Sequence, residues 1–463
     1  MDAWLRSAVG YIADWLELQL TGSQQPGVII AITQRGDVVA EHAFGVADLD
    51  TGEKLTPRHR FRIASHSKAF TAAGIMKLRE RRKLRLDDPV GQYVRDLHPD
   101  IAEQTIAQLL SHTSGLTRDG ADAGQFIDAL PYLSRKEVLV ELKEPPAIDP
   151  NTRFKYSNHG FALAGLVIEA ITGETYSSWI KREIVDAVGL KETEPNFTLP
   201  RGTPFARGHT RRQPLGHRLV IPGDNPAHAM ASAAGFVATA ADTARFFGQL
   251  APQARKSVIT LASRREMTRK QWRIPQSVEM HYGLGVASGK TEGFDWFGHG
   301  GGFQGYISRT AVLGECDVAI SILSNCIDGA AAFWMDGCFN ILRAFKTRGA
   351  PRGRGRDWGG RWWTIWNAID LVPMGDQVLA ANPHMVAPFT DATEIEVLGR
   401  NTGRITAAPG YASFGQSVRR SRNKAGKVTG IWLGGVHAKP ERILAAEIER
   451  RYAKGKRRAN AKA

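Results

Sequence analysis

Cysteine is scarce in this sequence: Cys316, Cys326 and Cys338 are the only three in 463 residues. An odd trio without paired spacing gives neither a disulfide framework nor a thiolate metal site, and predicts buried free thiols. The 13 histidines are scattered, with no His-x-x-Glu-His pair and no Cys/His cluster, so no metal and no cofactor is expected. Long apolar runs are missing as well. Gly27 to Ile32, the strongest near the N-terminus, falls far short of the roughly 20 residues a membrane span needs. Met1 to Leu20 lacks a basic leader, and Asp2, Asp14 and Glu17 interrupt its apolar stretch, so a cytoplasmic location is expected.

Acid is the scarcer charge, with 46 Asp and Glu against 61 Lys and Arg, a formal +15. The excess is lopsided: residues 351–463 hold 20 basic and 9 acidic side chains, and seven of the basic ones fall between Arg450 and Ala463. No recognisable nucleic-acid-binding signature accompanies them. The expectation is a solvated, flexible tail over 450–463 and no nucleic-acid partner. What is present is an ordinary globular supply, 43% hydrophobic and 23% charged. That excludes a wholly disordered chain and suits one large domain plus a small one.

Leu5, Val9, Ile12 and Leu16 recur at helical spacing and predict an amphipathic helix over residues 1–20. Val28 to Thr33 and Val38 to Phe44 alternate as two strands around Arg35-Gly36-Asp37, a hairpin. A short strand, Phe61 to Ala64, runs into a helix, Ser67 to Arg82. The pattern then stays mostly helical to Leu250, with helices over Thr105 to Leu110 and Phe161 to Ile171, and a capping signal at Thr239-Ala-Ala-Asp242. Strands return at Tyr306 to Leu313 and Val318 to Leu323, followed by a helix, Ala330 to Arg343. This order predicts an α/β (α+β) fold. One antiparallel sheet would be built from both ends of residues 1–346, flanked by helices, with a helical subdomain beside it and a cleft between. Residues 347–360, rich in Gly, Arg and Pro, read as a linker. Over 361–449, short strand-like runs (Trp362 to Asp370, Val378 to Ala381, Glu394 to Leu398, Val418 to Arg422, Val428 to Trp432) predict a small antiparallel β-barrel. Trp362, Trp363 and Trp366 are expected in its core.

Three short stretches could carry chemistry. In Ser65-His66-Ser67-Lys68, Ser and Lys three apart share one face of a helical turn. The helix start favours a developing alkoxide, and burial can strip the lysine of its proton so that it acts as a base. Tyr156-Ser157-Asn158 offers a phenol for proton transfer and an amide to orient a substrate. His299-Gly300-Gly301-Gly302, read as a glycine-rich loop, lets backbone N–H groups approach a substrate.

Ser-x-x-Lys, Tyr-x-Asn and His-x-Gly in that order resemble the penicillin-recognising serine hydrolases, the superfamily of serine β-lactamases, D-alanyl carboxypeptidases and related esterases (peptidase S12-like). Leu110-Ser-His-Thr-Ser-Gly-Leu116, Leu86-Asp-Asp-Pro-Val90 and Ser232-Ala-Ala-Gly235 are similar to stretches of its members. The resemblance covers about residues 5–345, and 361–440 resemble the lipocalin-like C-terminal domain of some members. His299 stands where β-lactamases and penicillin-binding proteins carry the lysine of Lys-Thr-Gly. That departure looks more like the D-aminopeptidases, or the penicillin-binding-protein-type thioesterases that cyclise peptides.

The resemblance implies a two-step acyl transfer. Ser65 would form an acyl-enzyme, and Lys68 and Tyr156 would share its proton. The N–H groups of Ser65 and of the glycines at 301 and 302 would bind the oxyanion. Asn158 would orient the acyl amide, and His299 would hold Tyr156 or a substrate carboxylate. The substrate would be a small molecule or short peptide, and a homo-oligomer is possible within such a family. The expected activity is that of a D-aminopeptidase or D-amino-acid amide hydrolase. A carboxylesterase and an acyltransferase or peptide cyclase are the alternatives. A non-catalytic binding module would have no need of Ser65, Lys68 and Tyr156 together.

Overall fold

The computed structural model describes residues 1–275, 277, 279–410 and 412–460. The chain divides into two compact units, Gln24–Met335 on one side and Met1–Ser23 with Asp336–Ala463 on the other.

The unit Gln24–Met335 is built on an eight-stranded antiparallel sheet. Its order is Asp37–Gly45, Gly27–Gln34, Val318–Ser324, Tyr306–Leu313, Phe294–Phe303, Ala287–Thr291, His281–Tyr282 and Trp272–Arg273. Early and late strands therefore join, Val28 opposite Ser324 and Gln34 opposite Val318. Gly27–Gln34 is buried along its whole length, as its unbroken Val-Ile run requires. The helices Ser67–Glu80, Asn158–Thr172 and Ala240–Gln249 bury apolar faces in a common core with this sheet. Phe70 stacks on Phe236 and Phe246 at ring distances of 4.3 and 3.6 Å. Truncating such a buried ring to alanine costs about 3–5 kcal/mol.

In this unit the segment 299–302 departs from the sequence reading. Residues 299–302 are not a loop but part of the strand Phe294–Phe303, paired in register with Tyr306–Leu313. Glycine is a poor strand former, so composition hides the strand. The glycine is required by proximity: a Cβ at Gly301 would lie 2.3 Å from the Ile63 carbonyl oxygen.

In the other unit eight strands follow one another as an antiparallel meander, from Gly360–Trp363 to Val436–Ala438. Trp363 and Lys439 exchange backbone hydrogen bonds of 2.7 and 2.9 Å, which nearly closes the sheet into a barrel. Its interior holds Trp358, Trp362, Leu371, Val378, Ile395, Ile405, Val418 and Ile431. The run Trp362 to Asp370 is two strands, because Thr364 and Asn367 close a turn between them. Of the three tryptophans expected inside, Trp362 is buried and Trp363 half-buried, but Trp366, in that turn, is 91% exposed.

The division differs from the expected 1–346 domain at both ends. The helix Ala3–Ser23 does have one buried face, but it groups with the C-terminal residues: Trp15 Nε1 donates to the Met385 carbonyl at 3.2 Å and Tyr11 packs on Phe389. Periodicity reveals that a helix has an apolar face, not what covers it. Arg450 to Asn460, expected as a flexible tail, continues the helix Glu441–Asn460, while residues 461–463 lie outside the described residues. All three cysteines are free thiols, Cys326 and Cys338 buried and Cys316 half-buried. Among the described residues no helix is long and apolar enough to cross a membrane, and no group of three His, Cys, Asp or Glu side chains could hold a metal ion.

Candidate active site

Ser65 lies in a single tight turn, Ala64–His66, between the strand Phe61–Arg62 and the helix Ser67–Glu80. Ala64 adopts φ of 48°, a left-handed conformation that costs an L-residue about 1–2 kcal/mol. Neighbouring bonds hold it there. Ser67 Oγ donates to the Ala64 carbonyl at 2.5 Å and accepts the Phe236 N–H at 3.1 Å. His66 is wholly buried, with Nδ1 2.8 Å from the Ile63 carbonyl and Nε2 2.9 Å from Thr310 Oγ1, which ties the turn to the sheet. Burial lowers the His66 pKa to about 3, so this tie is uncharged.

Lys68, one turn into the helix, is 0% exposed, whereas Ser65 remains half-buried. Lys68 Nζ donates to Asn158 Oδ1 at 2.7 Å and to the Ala233 carbonyl at 2.8 Å, and it lies 3.2 Å from Ser65 Oγ. Burial drives its pKa well below the ordinary lysine value, with Asp119 opposing and Arg118 assisting. A neutral amine has two N–H donors and one lone pair. The two acceptors use both donors and leave the lone pair for the Ser65 hydroxyl.

Tyr156 arrives from the helical insert. Ser157 caps the helix Asn158–Thr172: its Oγ accepts the Gly160 N–H at 2.9 Å and donates to the Thr117 carbonyl at 2.6 Å. That cap sets Tyr156 and Asn158 on either side of it. The Tyr156 hydroxyl donates to Ser65 Oγ at 2.8 Å, and burial raises its pKa, which keeps the phenol protonated. Lys68 Nζ also sits 4.8 Å from the centre of the Tyr156 ring. Ser65, Lys68, Tyr156 and Asn158 thus form one hydrogen-bonded cluster.

His299 does not join it directly. Its Nδ1 lies 2.6 Å from the Gly300 carbonyl and donates to it, and its Nε2 accepts from the Tyr282 hydroxyl at 2.8 Å. Both ring nitrogens are occupied, and burial, with His66 and Lys68 nearby, holds the pKa well below the usual value. A neutral, saturated imidazole is not a carboxylate receptor. The expected contact with Tyr156 is replaced by a relay of rings: Tyr282 packs against His112 at 4.7 Å, and His112 against Tyr156 at 4.1 Å. Gly301 and Gly302 bring the strand end to the Ser65 turn. Pairing of this strand with Ala287–Thr291 stops at Gly298, and Gly301 closes on Ile63.

Two groups around Ser65 have no counterpart in the sequence reading. Asp119, 5% exposed, accepts the Asn158 Nδ2 hydrogen at 2.5 Å and pairs with the exposed Arg118. A carboxylate therefore acts on Lys68 through one amide. His112 accepts the Ser157 N–H on Nδ1 at 3.1 Å, and its buried Nε2 has no hydrogen-bond partner. His112 falls within the Leu110–Leu116 run, but nothing in the sequence distinguishes it, or Asp119, from turn residues.

A family model described as "Beta-lactamase" matches residues 12–332. Protein flp of Staphylococcus aureus (strain MW2) is 30% identical over 185 residues, 38% of this chain and 36% of that protein. Penicillin-binding protein 4* of Bacillus subtilis (strain 168) is 32% identical over 175 residues, 36% of this chain and 37% of that protein. The chain thus spans little more than a third of the length of these curated relatives. Among solved structures, the octameric penicillin-binding protein homologue from Pyrococcus abyssi superposes with a TM-score of 0.66 at 22% identity, over 93% of this chain and 100% of that one. A D-stereospecific amidohydrolase from Streptomyces sp. gives 0.59 at 25% identity, over 69% and 94%. The D-amino acid amidase from Ochrobactrum anthropi SV3 gives 0.62 at 22% identity, over 74% and 99%.

Proposed function

Because the chain belongs to the β-lactamase family, we propose that it is a serine hydrolase that cleaves small D-configured amides or peptides through an acyl-enzyme on Ser65. One observation carries the reading: Ser65 Oγ is contacted from two directions, by Lys68 Nζ at 3.2 Å and by the Tyr156 hydroxyl at 2.8 Å. The opposed pKa directions favour Lys68 as base and Tyr156 as acid, with a lysine lowered towards neutrality and a phenol raised away from ionisation.

Lys68 takes the Ser65 proton as Oγ bonds to the substrate carbonyl carbon. Tyr156 gives its proton to the leaving nitrogen as the C–N bond breaks, and the resulting phenolate lies against the Lys68 ammonium. In the second half a water attacks the ester and yields a proton to Tyr156. Ser65 Oγ departs and recovers a proton from Lys68, so the cycle closes. In this reading the N–H groups of Ser65 and Gly302 serve as the oxyanion donors, each typically contributing about 10²–10³ in rate. With both ring nitrogens already bonded, His299 is a poor holder for a substrate carboxylate of the kind penicillins and C-terminal peptides carry. The D-preference rests on the likeness to the Streptomyces and Ochrobactrum enzymes.

The test is a panel of D- and L-amino-acid p-nitroanilides and p-nitrophenyl esters, run on the protein and on Ser65→Ala, with a fluorophosphonate probe read by mass spectrometry. Turnover of D-anilides with a probe adduct on Ser65 is expected. Equal turnover of both enantiomers would remove the D-preference, ester cleavage alone would make it an esterase, and no adduct on Ser65 would end the reading.

A further inference from the structure

His112 is wholly buried and holds φ of 59°, a left-handed conformation in which histidine is tolerated better than most side chains. The residues around it anchor it there. The Leu110 carbonyl accepts the Gly285 N–H at 2.9 Å, the Thr113 N–H donates to the Gln108 carbonyl at 2.9 Å, and Ser111 Oγ lies 2.9 Å from Thr113 Oγ1. From this mount His112 grips the chain on both sides of Tyr156. Its carbonyl accepts the Lys155 N–H at 2.8 Å, and its Nδ1 accepts the Ser157 N–H at 3.1 Å. Between those two bonds the imidazole lies 4.1 Å from the Tyr156 ring, centre to centre.

Packing alone does not account for a histidine here. The ring sits among Phe154, Phe161 and Tyr282, at centre distances of 5.6, 5.1 and 4.7 Å, a setting that a phenyl ring would also fill. With Nδ1 accepting, the ring proton is on Nε2, where it has no hydrogen-bond partner. An unmet buried donor is a cost that phenylalanine would not carry. What the imidazole adds is the acceptor on Nδ1. Burial, with Lys68 and His299 nearby, holds its pKa well below the usual value, so that lone pair stays available to the Ser157 N–H.

We infer that His112 is a positioning residue, which fixes the Tyr156 hydroxyl against Ser65 by holding the amides on both sides of Tyr156 and packing on its ring. The inference rests on the acid role proposed for Tyr156. The test compares two variants of the full chain. His112→Asn keeps an acceptor and suits the left-handed backbone, whereas His112→Phe keeps the ring and loses the acceptor. On p-nitroanilides, His112→Phe should lower kcat/KM about tenfold or more, and His112→Asn by less. On p-nitrophenyl esters, whose leaving group needs no proton, both losses should be smaller. In a Tyr156→Phe background, His112→Phe should cost little more, because both changes act through one phenol.

Parent-like anilide turnover by His112→Phe overturns the inference and leaves His112 a packing ring. Equal losses on anilide and ester, or a loss that adds in full to that of Tyr156→Phe, overturn it as well. A crystal structure of His112→Phe reads the placement without any substrate: the Tyr156 hydroxyl should shift by about 1 Å or more from its 2.8 Å contact with Ser65 Oγ. A hydroxyl that stays in that contact overturns the inference. A parent chain that turns over no substrate, with the hydroxyl displaced in His112→Phe, would end the proposed function and uphold the positioning role.

Discussion

Two buried cations, one in each unit, are treated in opposite ways. Lys68 in the unit Gln24–Met335 has no carboxylate in contact: its partners are an amide oxygen, a backbone carbonyl and a hydroxyl. Arg420 in the barrel has a side chain that is only 1% exposed. It donates to the Asp357 backbone at 2.6 Å and to both oxygens of the Asp357 carboxylate at 3.0 and 3.2 Å, with its guanidinium 4.4 Å from the Trp358 ring. Burial lowers both pKa values. For the arginine the carboxylate pushes back and the group stays ionised, whereas the lysine is pushed towards its neutral form. Dehydration by itself therefore does not make a reactive group. The kind of cation matters as much as its partners: Arg62, wholly buried among backbone carbonyls with no carboxylate hydrogen-bonded to it, is lowered only to about 10.

The sharpest way to break this contrast is at Ser65, the proposed nucleophile. Ser65→Ala should lower kcat/KM by about 10⁴-fold or more with no change in melting temperature, since a half-buried hydroxyl contributes little to packing. Lys68→Met should cost about 10³-fold, and Lys68→Arg should not rescue it, because a guanidinium does not deprotonate. Tyr156→Phe should cost about 10²-fold or more on an anilide and less on an activated ester, whose leaving group needs no proton. Measured side by side, these rates separate the base from the acid.

The pH profile sharpens the same point. Activity needs Lys68 neutral, so kcat/KM should rise with pH through a lysine value displaced below its usual range. Asp119 raises that value, so Asp119→Asn should move the limb to lower pH. A purely structural role for Asp119 would lower the rate and leave the limb where it was. The smallest effect on turnover belongs to the barrel. Arg420→Met should destabilise by about 2 kcal/mol, read as a fall in melting temperature, while kcat stays unchanged.

The sequence made the chemistry of one unit readable and much less of the other. Ser65 and Lys68 stand three apart, and that spacing on a helix forces proximity whatever the rest of the chain does. Tyr156 and Asn158 flank a serine that had to cap a helix. Asp119 escaped because its importance comes from Asn158, 39 residues away, and no local pattern links them. His299 was found, but its partner Tyr282 was not, since strand pairing brings the two together. In the barrel, aromatic residues continue through the Thr364–Asn367 turn and conceal it. The strand Thr402–Ala407 carries too few apolar residues to stand out, and Val436–Ala438 is too short.

The contact between Gly301 and Ile63 bears on anyone who would retune the proposed activity by mutagenesis. A side chain at position 301 would displace the Ile63 carbonyl, two residues before Ser65, and crowd Ser308 Oγ, so a library spent there samples mostly broken proteins. Arg118, whose side chain is 63% exposed beside Tyr156, meets no such steric limit, though its pairing with Asp119 couples any change there to Lys68.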